Sequence, residues 1–480
     1  MAAGATSAGG GGGAGTCRVV CCARIRHMPI DPEVQRYIQS NARRFLEDLK
    51  ELCTFDSISN HGEPALKPCR DWLGHRLGQF TDRVDVLQAG GMPLLLAEVP
   101  GAGSRRLLLY THYDVQPVDP LELWDSYPFQ PAERDGRIFA RGVCDDKADV
   151  MARIHAIETL RSVRGGLPLT LRFVVEGEEE IGSRSFDRIV ESHTSRFEAD
   201  GCLWESDGFN SSGRAEITFG VRGLLYVQLR VRMLDFDQHS STASIYPSAA
   251  MLLVEALHSL RDTEMNVLID GFYDNIVPPT DADRQMMAGI DPELEQRRRL
   301  VGFERLVKSP DPEWMVEQLL WMPTCNIAGI TTGYQGPGSK TVLPAEATAK
   351  LDFRLIPDMD PDDILFKLRR HLDSHGFQKV EIVVADGERP ARSDPDSEIA
   401  RSVIACQRDL YGHDPIRWPF MAGTGPMHAV ANTLGIPTVM PTGAGRPDAR
   451  VHAPNENIHI NDYLNTVALM CGVFESFGSA

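Results

Sequence analysis

The sequence predicts an α/β fold, in which a mainly parallel β-sheet is covered by helices and a smaller α+β domain is inserted. Short apolar runs, each followed by a polar loop, alternate with segments of helical spacing. This alternation favours a parallel sheet with helices on both faces. Around residues 224–233, by contrast, apolar and polar residues alternate as in a half-exposed strand.

The length of the chain favours more than one domain. With 480 residues it is long for a single core, so we expect two domains or one domain with a large insertion. Residues 28–218 and 390–480 are predicted to form the first domain, and residues 219–389 the inserted domain. Residues 1–27 are Gly-rich and expected to be disordered. They hold three arginines and no acid, which suits a transit peptide, unless translation begins at Met28.

Charge and composition exclude several classes of partner. The formal charge of −18 argues against nucleic acid, because phosphate binding needs a basic surface. No apolar run reaches the roughly 20 residues that cross a bilayer, so no membrane association is expected. The ten cysteines are scattered and suit reduced thiols in a cytoplasmic protein.

The elements follow from the apolar spacing in chain order. Helices are predicted after Asp31, at residues 69–80, just after Asp146 and at residues 397–410. Strands of the first domain are predicted at residues 107–110, 169–175, 202–204 and 436–440. The inserted domain is predicted to hold strands at 224–233, 341–355 and 379–384 and a helix at 248–260.

Polar side chains follow the predicted strands of the first domain. In parallel sheets, ligands bind beyond the carboxyl ends of the strands, so these side chains are expected to meet at one edge. The residues placed there are His112, Asp145, Glu179, Glu180, Asp207 and His452.

Two of these positions allow a structural as well as a chemical interpretation. His112 offers an imidazole, and Asp114 offers a carboxylate that can hydrogen-bond the other ring nitrogen. The pair could equally be part of a polar loop. Asp145 and Asp146 lie where a helix should begin, and a helix N-terminus favours aspartate without any metal.

The remaining acids and histidine are also open to two interpretations. Residues 178–180 follow a strongly apolar strand, where one carboxylate could bind metal and another take a proton from water. Such a run is otherwise a solvated acidic face. Asp207 could be a turn residue, and His452 a loop histidine.

Taken together, the motifs resemble a known family. The sequence resembles the aminoacylase/carnosinase family of dinuclear zinc peptidases, most closely its cytosolic nonspecific dipeptidase and carnosinase branch. The resemblance covers about residues 31–475. It rests on the ordered motifs HYDVQP (112–117), RGVCDDK (141–147), EGEEEIGS (176–183), KTVLP (340–344) and HAPNE (452–456).

The resemblance implies a fold and a metal site. The first domain would be a zinc-peptidase catalytic domain of the phosphorylase/hydrolase-like type, and the insertion a lid/dimerisation domain. His112 and Asp207 would bind one metal ion, Glu180 and His452 the other, and Asp145 would bridge them. These ligands are histidines and carboxylates without cysteine, which suits two zinc ions per subunit. Manganese or cobalt are alternatives.

Catalytic and substrate-binding roles are also implied by the resemblance. Asp114 would orient the histidine ligand, and Glu179 would act as general base. His239 would be the lid histidine that reaches into the active site of the partner subunit, so a homodimer formed through the lid domain is expected. Arg354 would hold a substrate carboxylate. The residues that would line its pocket are Thr341, Thr424 and, as a weaker candidate that could instead be a loop amide, Asn326.

Two departures from the family pattern concern the lid and the helix start. Ala148 replaces the usual glycine after the Asp-Asp-Lys sequence, and residues 241–245 replace a glycine-rich run. Neither removes a ligand.

The predicted function is metal-dependent hydrolysis of dipeptides or short peptides with a free C-terminal carboxylate. The alternatives are an N-acyl amino acid deacylase of the acetylornithine or succinyl-diaminopimelate type and a non-catalytic binding protein on the same fold.

Overall fold

A computed structural model describes residues 31–479 of the chain. The predictions made for residues 1–27 (disorder, a transit peptide or a start at Met28) lie outside the described residues. Within residues 31–479, no helix is both long enough and apolar enough to span a bilayer.

The described residues form helices and strands that are numbered here along the chain. The helices are α1 (Pro32–Cys53), α2 (Glu63–Gly78), α3 (Ala148–Arg164), α4 (Phe186–Ser192), α5 (Thr194–Phe197), α6 (Ala249–Leu260), α7 (Asp281–Met287), α8 (Leu294–Val301), α9 (Pro312–Trp321), α10 (Pro361–Ser374), α11 (Glu398–Tyr411) and α12 (Ile460–Ser479). The strands are β1 (Val84–Leu87), β2 (Leu94–Val99), β3 (Arg106–His112), β4 (Ala132–Arg134), β5 (Arg137–Phe139), β6 (Thr170–Glu176), β7 (Gly201–Leu203), β8 (Asp207–Gly208), β9 (Glu216–Thr218), β10 (Gly220–Val221), β11 (Gly223–Arg232), β12 (Gln238–His239), β13 (Thr324–Thr332), β14 (Val342–Leu343), β15 (Glu346–Leu355), β16 (Val380–Glu388), β17 (Ala391–Arg392), β18 (Ile416–Trp418), β19 (Thr438–Val439), β20 (Thr442–Gly445) and β21 (Asn457–His459).

The main sheet has six strands in the order β1-β2-β6-β3-β7-β19. The pairings β6–β3, β3–β7 and β7–β19 are parallel. At one edge, β2 runs antiparallel to β6, and β1 runs antiparallel to β2. The predicted α/β fold with a mainly parallel sheet is confirmed, with the addition of this antiparallel edge.

Helices cover both faces of the main sheet because its central strands are apolar on both sides. Leu107 and Leu109 of β3 pack in the core that includes α1, α3, α11 and α12. Leu108 and Tyr110 of the same strand pack in a second core with α4 and α5. All four side chains are fully buried. A strand that is buried on both faces is characteristic of a parallel sheet.

A second sheet has four antiparallel strands in the order β13-β15-β11-β16. Helices α6 and α10 cover one of its faces. Alternate residues of its strands, such as Val227 and Phe353, form a core separate from those of the main sheet. The sheet and its helices have the α+β composition predicted for the insertion.

The largest differences in extent from the prediction concern three elements, and proline accounts for two of them. Helix α2 begins at Glu63 instead of residue 69, since proline in its first turn suits a helix start. The strand predicted over 341–355 is divided into β14 and β15 around Pro344, which has no N–H for the ladder. Strand β16 continues to Glu388, beyond the predicted end at residue 384.

Candidate metal centre and active site

The carboxyl ends of three parallel strands bring polar residues to one edge of the main sheet. Strand β3 ends at His112 and pairs in parallel with β6, which ends at Glu176. Glu179 and Glu180 follow in the next turn, and Glu205 comes shortly after β7. Because parallel strands end at the same edge, these side chains meet there.

Asp145 lies between two histidines that come from distant parts of the chain. Its Oδ1 is 2.9 Å from Nε2 of His112, and its Oδ2 is 3.0 Å from Nε2 of His452. Helix α3 begins at Ala148, and no side chain caps it. The capping interpretation of Asp145 is therefore wrong, since its carboxylate faces two imidazoles instead.

Glu180 completes a cluster with Asp145 and His452. Glu180 Oε2 is 3.1 Å from Nε2 of His452. One potential ligand atom from each of the three residues lies within 4.8 Å of the others. Gln116 holds the Glu180 carboxylate in place, because its backbone N–H donates to Oε1 at 3.1 Å and its side-chain amide donates to Oε2 at 2.9 Å.

Asp114 orients both the histidine and the glutamate turn. Its Oδ1 is 3.4 Å from Nδ1 of His112, and its backbone carbonyl lies 3.1 Å from the same nitrogen. The carboxylate also accepts the backbone N–H groups of Glu179 at 3.3 Å and Glu180 at 3.0 Å. The side chain is fully buried. Asp114 therefore joins the end of β3 to the turn after β6.

The three consecutive glutamates differ in their surroundings. Glu178 accepts the backbone N–H of Met92 at 2.8 Å and both the N–H and the hydroxyl of Ser185, so it is held by the protein. Burial raises the pKa of Glu179 well above its usual value. The nearby charge of Glu205 raises it further, while His112 opposes the shift. A glutamate with a raised pKa suits proton transfer near neutral pH.

Asp146 and Glu456 shape the loop that carries Asp145. Asp146 accepts the backbone N–H of His112 at 3.2 Å, which fits a structural neighbour. Both oxygens of Glu456 accept backbone N–H groups of this loop, at 2.8 Å from Gly142, 2.8 Å from Cys144 and 3.1 Å from Asp145.

The buried pair of Glu456 and Arg141 joins three of the sequence motifs. Arg141 donates to Glu456 at 2.8 Å and to the carbonyl of Pro117 at 3.0 Å. Both side chains are almost fully buried. The loops that carry the two histidines and the aspartate are thereby held together. The sequence alone indicated no role for Arg141 or Glu456.

The carboxylate of Asp207, which was predicted as a terminal metal ligand, accepts hydrogen bonds from other groups of the protein. Its Oδ1 accepts the N–H of Gly208 at 2.9 Å, and its Oδ2 accepts the Thr218 hydroxyl. Within residues 31–479, the cluster of potential ligand atoms consists of Asp145, Glu180 and His452, so neither Asp207 nor His112 is a member. Backbone and hydroxyl donors account for both carboxylate oxygens of Asp207.

Glu205, for which no role was predicted, lies close to His112 and Asp145. Burial raises the pKa of Glu205 to about 8. The charge of Asp145 also raises this pKa, whereas His112 lowers it. Its Oε1 is buried and has no hydrogen-bond partner among the described residues. A buried carboxylate oxygen of this kind fits a metal ligand, because it would otherwise be left unsatisfied. The available signal was its position as the first acid after β7.

The electrostatics of the cluster favour cations between its ligand atoms. Burial alone would lower the pKa of His112, but hydrogen bonds to Asp114 and Asp145 outweigh it and raise the pKa. Hydrogen bonds to Asp145 and Glu180 raise the pKa of His452 to about 10. A site that stabilises protons on both imidazoles also stabilises divalent cations at the same atoms, and binding them releases those protons.

The predicted lid and substrate residues form two separate pairs. His239 is exposed, and its Nε2 lies 3.4 Å from the hydroxyl of Thr341. Arg354 donates to the hydroxyl of Thr424 at 2.6 Å. Asn326 is also exposed and donates to Asp352 at 2.8 Å, and it lies in strand β13 instead of a loop.

The pair of Arg354 and Thr424 lies next to the glutamate turn. Gly425 follows Thr424 directly, and a Cβ built at Gly425 would lie 3.9 Å from Oε1 of Glu179. The arginine that would hold a carboxylate therefore lies near the residue that would act as base.

The chain is similar to several known proteins. A family model described as "Peptidase family M20/M25/M40" matches residues 108–476. A Beta-Ala-His dipeptidase of Rattus norvegicus is 27% identical over 464 residues, which are 92% of this chain and 94% of the relative. A Cys-Gly metallodipeptidase of Schizosaccharomyces pombe is 26% identical over 389 residues, covering 79% of this chain and 81% of the relative. The crystal structure of an M20 family metallo-carboxypeptidase from Sulfolobus solfataricus has a TM-score of 0.87 and 36% identity, covering 91% of this chain and 99% of that chain.

The fold and the cluster of histidines and carboxylates define an enzyme of the metallopeptidase class. The family model covers well over half of the chain. The chain belongs to peptidase family M20/M25/M40. The predicted resemblance to the dipeptidase and carnosinase branch is confirmed by these relatives.

Proposed function

We propose that the protein is a dinuclear metallopeptidase that hydrolyses dipeptides or short peptides with a free C-terminal carboxylate. The observation that carries this proposal is Asp145, whose two oxygens face His112 and His452 at 2.9 and 3.0 Å. A carboxylate between two imidazoles is the arrangement needed to bridge two ions. The dipeptidase names of the relatives support the choice of substrate.

Two divalent ions per subunit fit the residues present. His112 and Glu205 would hold one ion, Glu180 and His452 the other, and Asp145 both. Imidazole and carboxylate ligands without cysteine suit zinc, with manganese or cobalt as alternatives. When bound, the ions would lower the pKa of a water molecule and polarise the scissile carbonyl.

Glu179 is the residue we propose as general base. It would take a proton from the attacking water and return it to the leaving amine. Its raised pKa and its position beside Glu205 and His112 support this role. Its backbone is held by Asp114, which limits the freedom of the carboxylate to turn away.

Arg354 and Thr424 would bind the C-terminal carboxylate of the substrate. A guanidinium group can grip a carboxylate with two hydrogen bonds, which fixes the orientation of the peptide. The contact between Arg354 and Thr424 keeps the guanidinium beside the glutamate turn. A substrate held there by its carboxylate would present its amide bond to Glu179.

His239 and Thr341 would act in the active site of a partner subunit. His239 is exposed and pairs with Thr341, and neither belongs to the cluster around Asp145. The protein would then be a homodimer assembled through the lid domain, residues 219–389. The catalytic domain would consist of residues 28–218 and 390–480. We propose a cytoplasmic location, which suits its scattered cysteines.

A substrate panel on metal-stripped protein tests the proposed function. Unblocked dipeptides and N-acetyl amino acids would be supplied with zinc, manganese or cobalt. We expect hydrolysis of dipeptides on metal addition and little hydrolysis of N-acetyl amino acids. Preferred hydrolysis of N-acetyl amino acids would favour a deacylase instead, and absence of hydrolysis with all three metals would contradict the proposal.

A further inference from the structure

A second cavity, of about 450 Å³, lies between the turn that carries Glu180 and the edge strand β16. Gly182 brings the two sides into contact, since a Cβ built there would lie 2.6 Å from Oδ2 of Asp386. Charged residues line the cavity from both sides. These charged residues are Arg184, Asp187, Asp362, Asp386, Glu388 and Arg389, and His428 also lines the cavity.

Glu388 shares a row of the second sheet with Arg354. Leu224 of β11 is paired with Arg354 on one side and with Glu388 on the other. Directly opposed residues of antiparallel strands project to the same face, so the three side chains share one face. Strands are about 4.8 Å apart, so roughly 10 Å separates the backbones of Arg354 and Glu388.

The carboxylate of Glu388 is incompletely satisfied. Its Oε2 is buried and has no hydrogen-bond partner within the part of the chain that the structure describes. Burial raises the pKa of Glu388 to about 7. Asp386 and Asp187 raise it further, whereas Arg354 lowers it. A donor supplied by a ligand would satisfy the oxygen and stabilise its charged form.

The remaining charges favour a cation over an anion. Arg389 is paired with Asp360, at 3.2 Å, so its charge is already balanced. Burial raises the pKa of Asp187, Asp386 and Glu388. His428 and Arg184 oppose the shift at Asp187 and Asp386 respectively, but the acids that line the cavity outnumber its arginines. A bound ammonium or guanidinium group would compensate these acids.

We propose that Glu388 selects substrates whose C-terminal residue has a cationic side chain, while Arg354 holds the carboxylate of that same residue. The inference rests on the proposed dipeptidase function and deepens it by naming a substrate class. A lysine side chain has a flexible four-carbon stem that can lie over Leu224 and place its ammonium beside Glu388. The peptide bond would remain on the side of Glu179.

The test compares Ala-Lys with Ala-Met, a neutral dipeptide of similar length, on the metal-loaded enzyme. We expect kcat/KM to favour Ala-Lys by roughly tenfold or more, the usual range for a hydrogen bond to a charged group. Glu388→Gln should reduce this ratio roughly tenfold. Glu381→Gln is the matched control, since Glu381 is an exposed glutamate on the same strand and outside the cavity. It should leave the ratio unchanged.

Two further measurements keep the inference separate from the proposed function. Glu388→Lys should invert the preference towards Ala-Glu, which a merely misfolded variant would not do. Calorimetric binding of Ala-Lys and Ala-Met tests Glu388 even if neither is hydrolysed. Hydrolysis of Ala-Met with no preference for Ala-Lys, or a ratio that Glu388→Gln leaves intact, would overturn the inference alone. Equal affinities for the two dipeptides would overturn it in the absence of turnover.

Discussion

At the scale of single residues, the centre depends on which oxygen atoms are free to face a cation. Asp145 directs one oxygen towards each of two histidines. Glu178 and Asp207 also follow strands of the main sheet, but their carboxylates already accept hydrogen bonds from the protein. Residue type alone therefore does not identify a ligand, because neighbouring donors decide which carboxylates remain available.

Asp145→Ala should remove both metal ions together. The proposed bridge contributes to both sites, so its loss weakens each of them. Metal content per subunit, measured by elemental analysis after dialysis, checks this. Asp146→Asn is the control and should retain both ions, because Asp146 contacts only the backbone of His112 among the proposed ligands. Loss of a single ion from Asp145→Ala would contradict bridging.

Glu179→Ala should lose nearly all turnover while keeping its metal. Removing a general base typically costs between roughly 100-fold and 10,000-fold in rate. Steady-state hydrolysis of a dipeptide, together with metal analysis of the same sample, gives the result. A near wild-type rate would show that another group takes the proton.

Glu205 and Asp207 form a matched pair of carboxylates only two positions apart. Glu205→Ala should lose one ion per subunit, because it removes the buried oxygen that lacks a protein partner. Asp207→Asn should keep both ions, since its oxygens already accept protein hydrogen bonds. Metal analysis of both variants compares them, and the reverse result would restore Asp207 as the ligand.

At the scale of elements, the centre is built from strand ends that are linked by buried side chains. Strands β3 and β6 are in parallel register, which places His112 opposite Glu176 and close to the glutamate turn. The loops that carry Asp145 and His452 are not strands, and Glu456 links them by accepting the backbone N–H groups of Gly142, Cys144 and Asp145. Loop geometry here depends on one buried carboxylate.

Glu456→Gln should weaken metal binding by roughly 10- to 100-fold, as is common for residues that orient ligands. The substitution also leaves the charge of Arg141 buried without its partner, which destabilises the fold. Competition with a chelator measures the affinity, and thermal unfolding of the same sample measures the stability. Unchanged affinity in a folded variant would show that the loops hold their geometry without this pair.

At the scale of the whole molecule, two sheets with separate cores carry different parts of the proposed reaction. The main sheet presents the candidate ligands, and the second sheet presents Arg354 and Glu388 in one row. His239 belongs to a pair of short strands beside the second sheet and does not join the cluster around Asp145 in the described residues. The role proposed for His239 would therefore require the active site of a partner subunit.

Mixing two inactive variants tests whether the active site is shared between subunits. Glu179→Ala and His239→Ala, dissociated and reassembled together, should recover roughly a quarter of wild-type turnover, because half of the dimers are mixed and each mixed dimer has one intact site. Each variant alone should stay inactive. Absence of recovery in samples shown to contain mixed dimers would place His239 outside the partner's site.

Much of the fold could be predicted because it depends on local patterns. The helical spacing after Asp31 matches α1, and the apolar runs ahead of His112 and Glu176 match β3 and β6. The antiparallel edge formed by β1 and β2 was not predicted, since pairing direction depends on contacts between distant segments. Residues 281–321, which form α7 to α9, also lacked a clear pattern in the sequence.

The order of the motifs by itself determined the family, the α/β fold and the edge of the sheet where the polar residues meet, because strand ends follow directly from apolar runs. Only the tertiary structure decided which acids face that edge. It left a buried oxygen of Glu205 without a hydrogen-bond partner among the described residues, whereas the oxygens of Asp207 accept protein hydrogen bonds. It also gave Glu178 hydrogen-bond donors and placed Arg354 and Glu388 on either side of Leu224 in one row. These outcomes depend on hydrogen-bond partners and strand register supplied by distant residues, which a linear pattern does not contain.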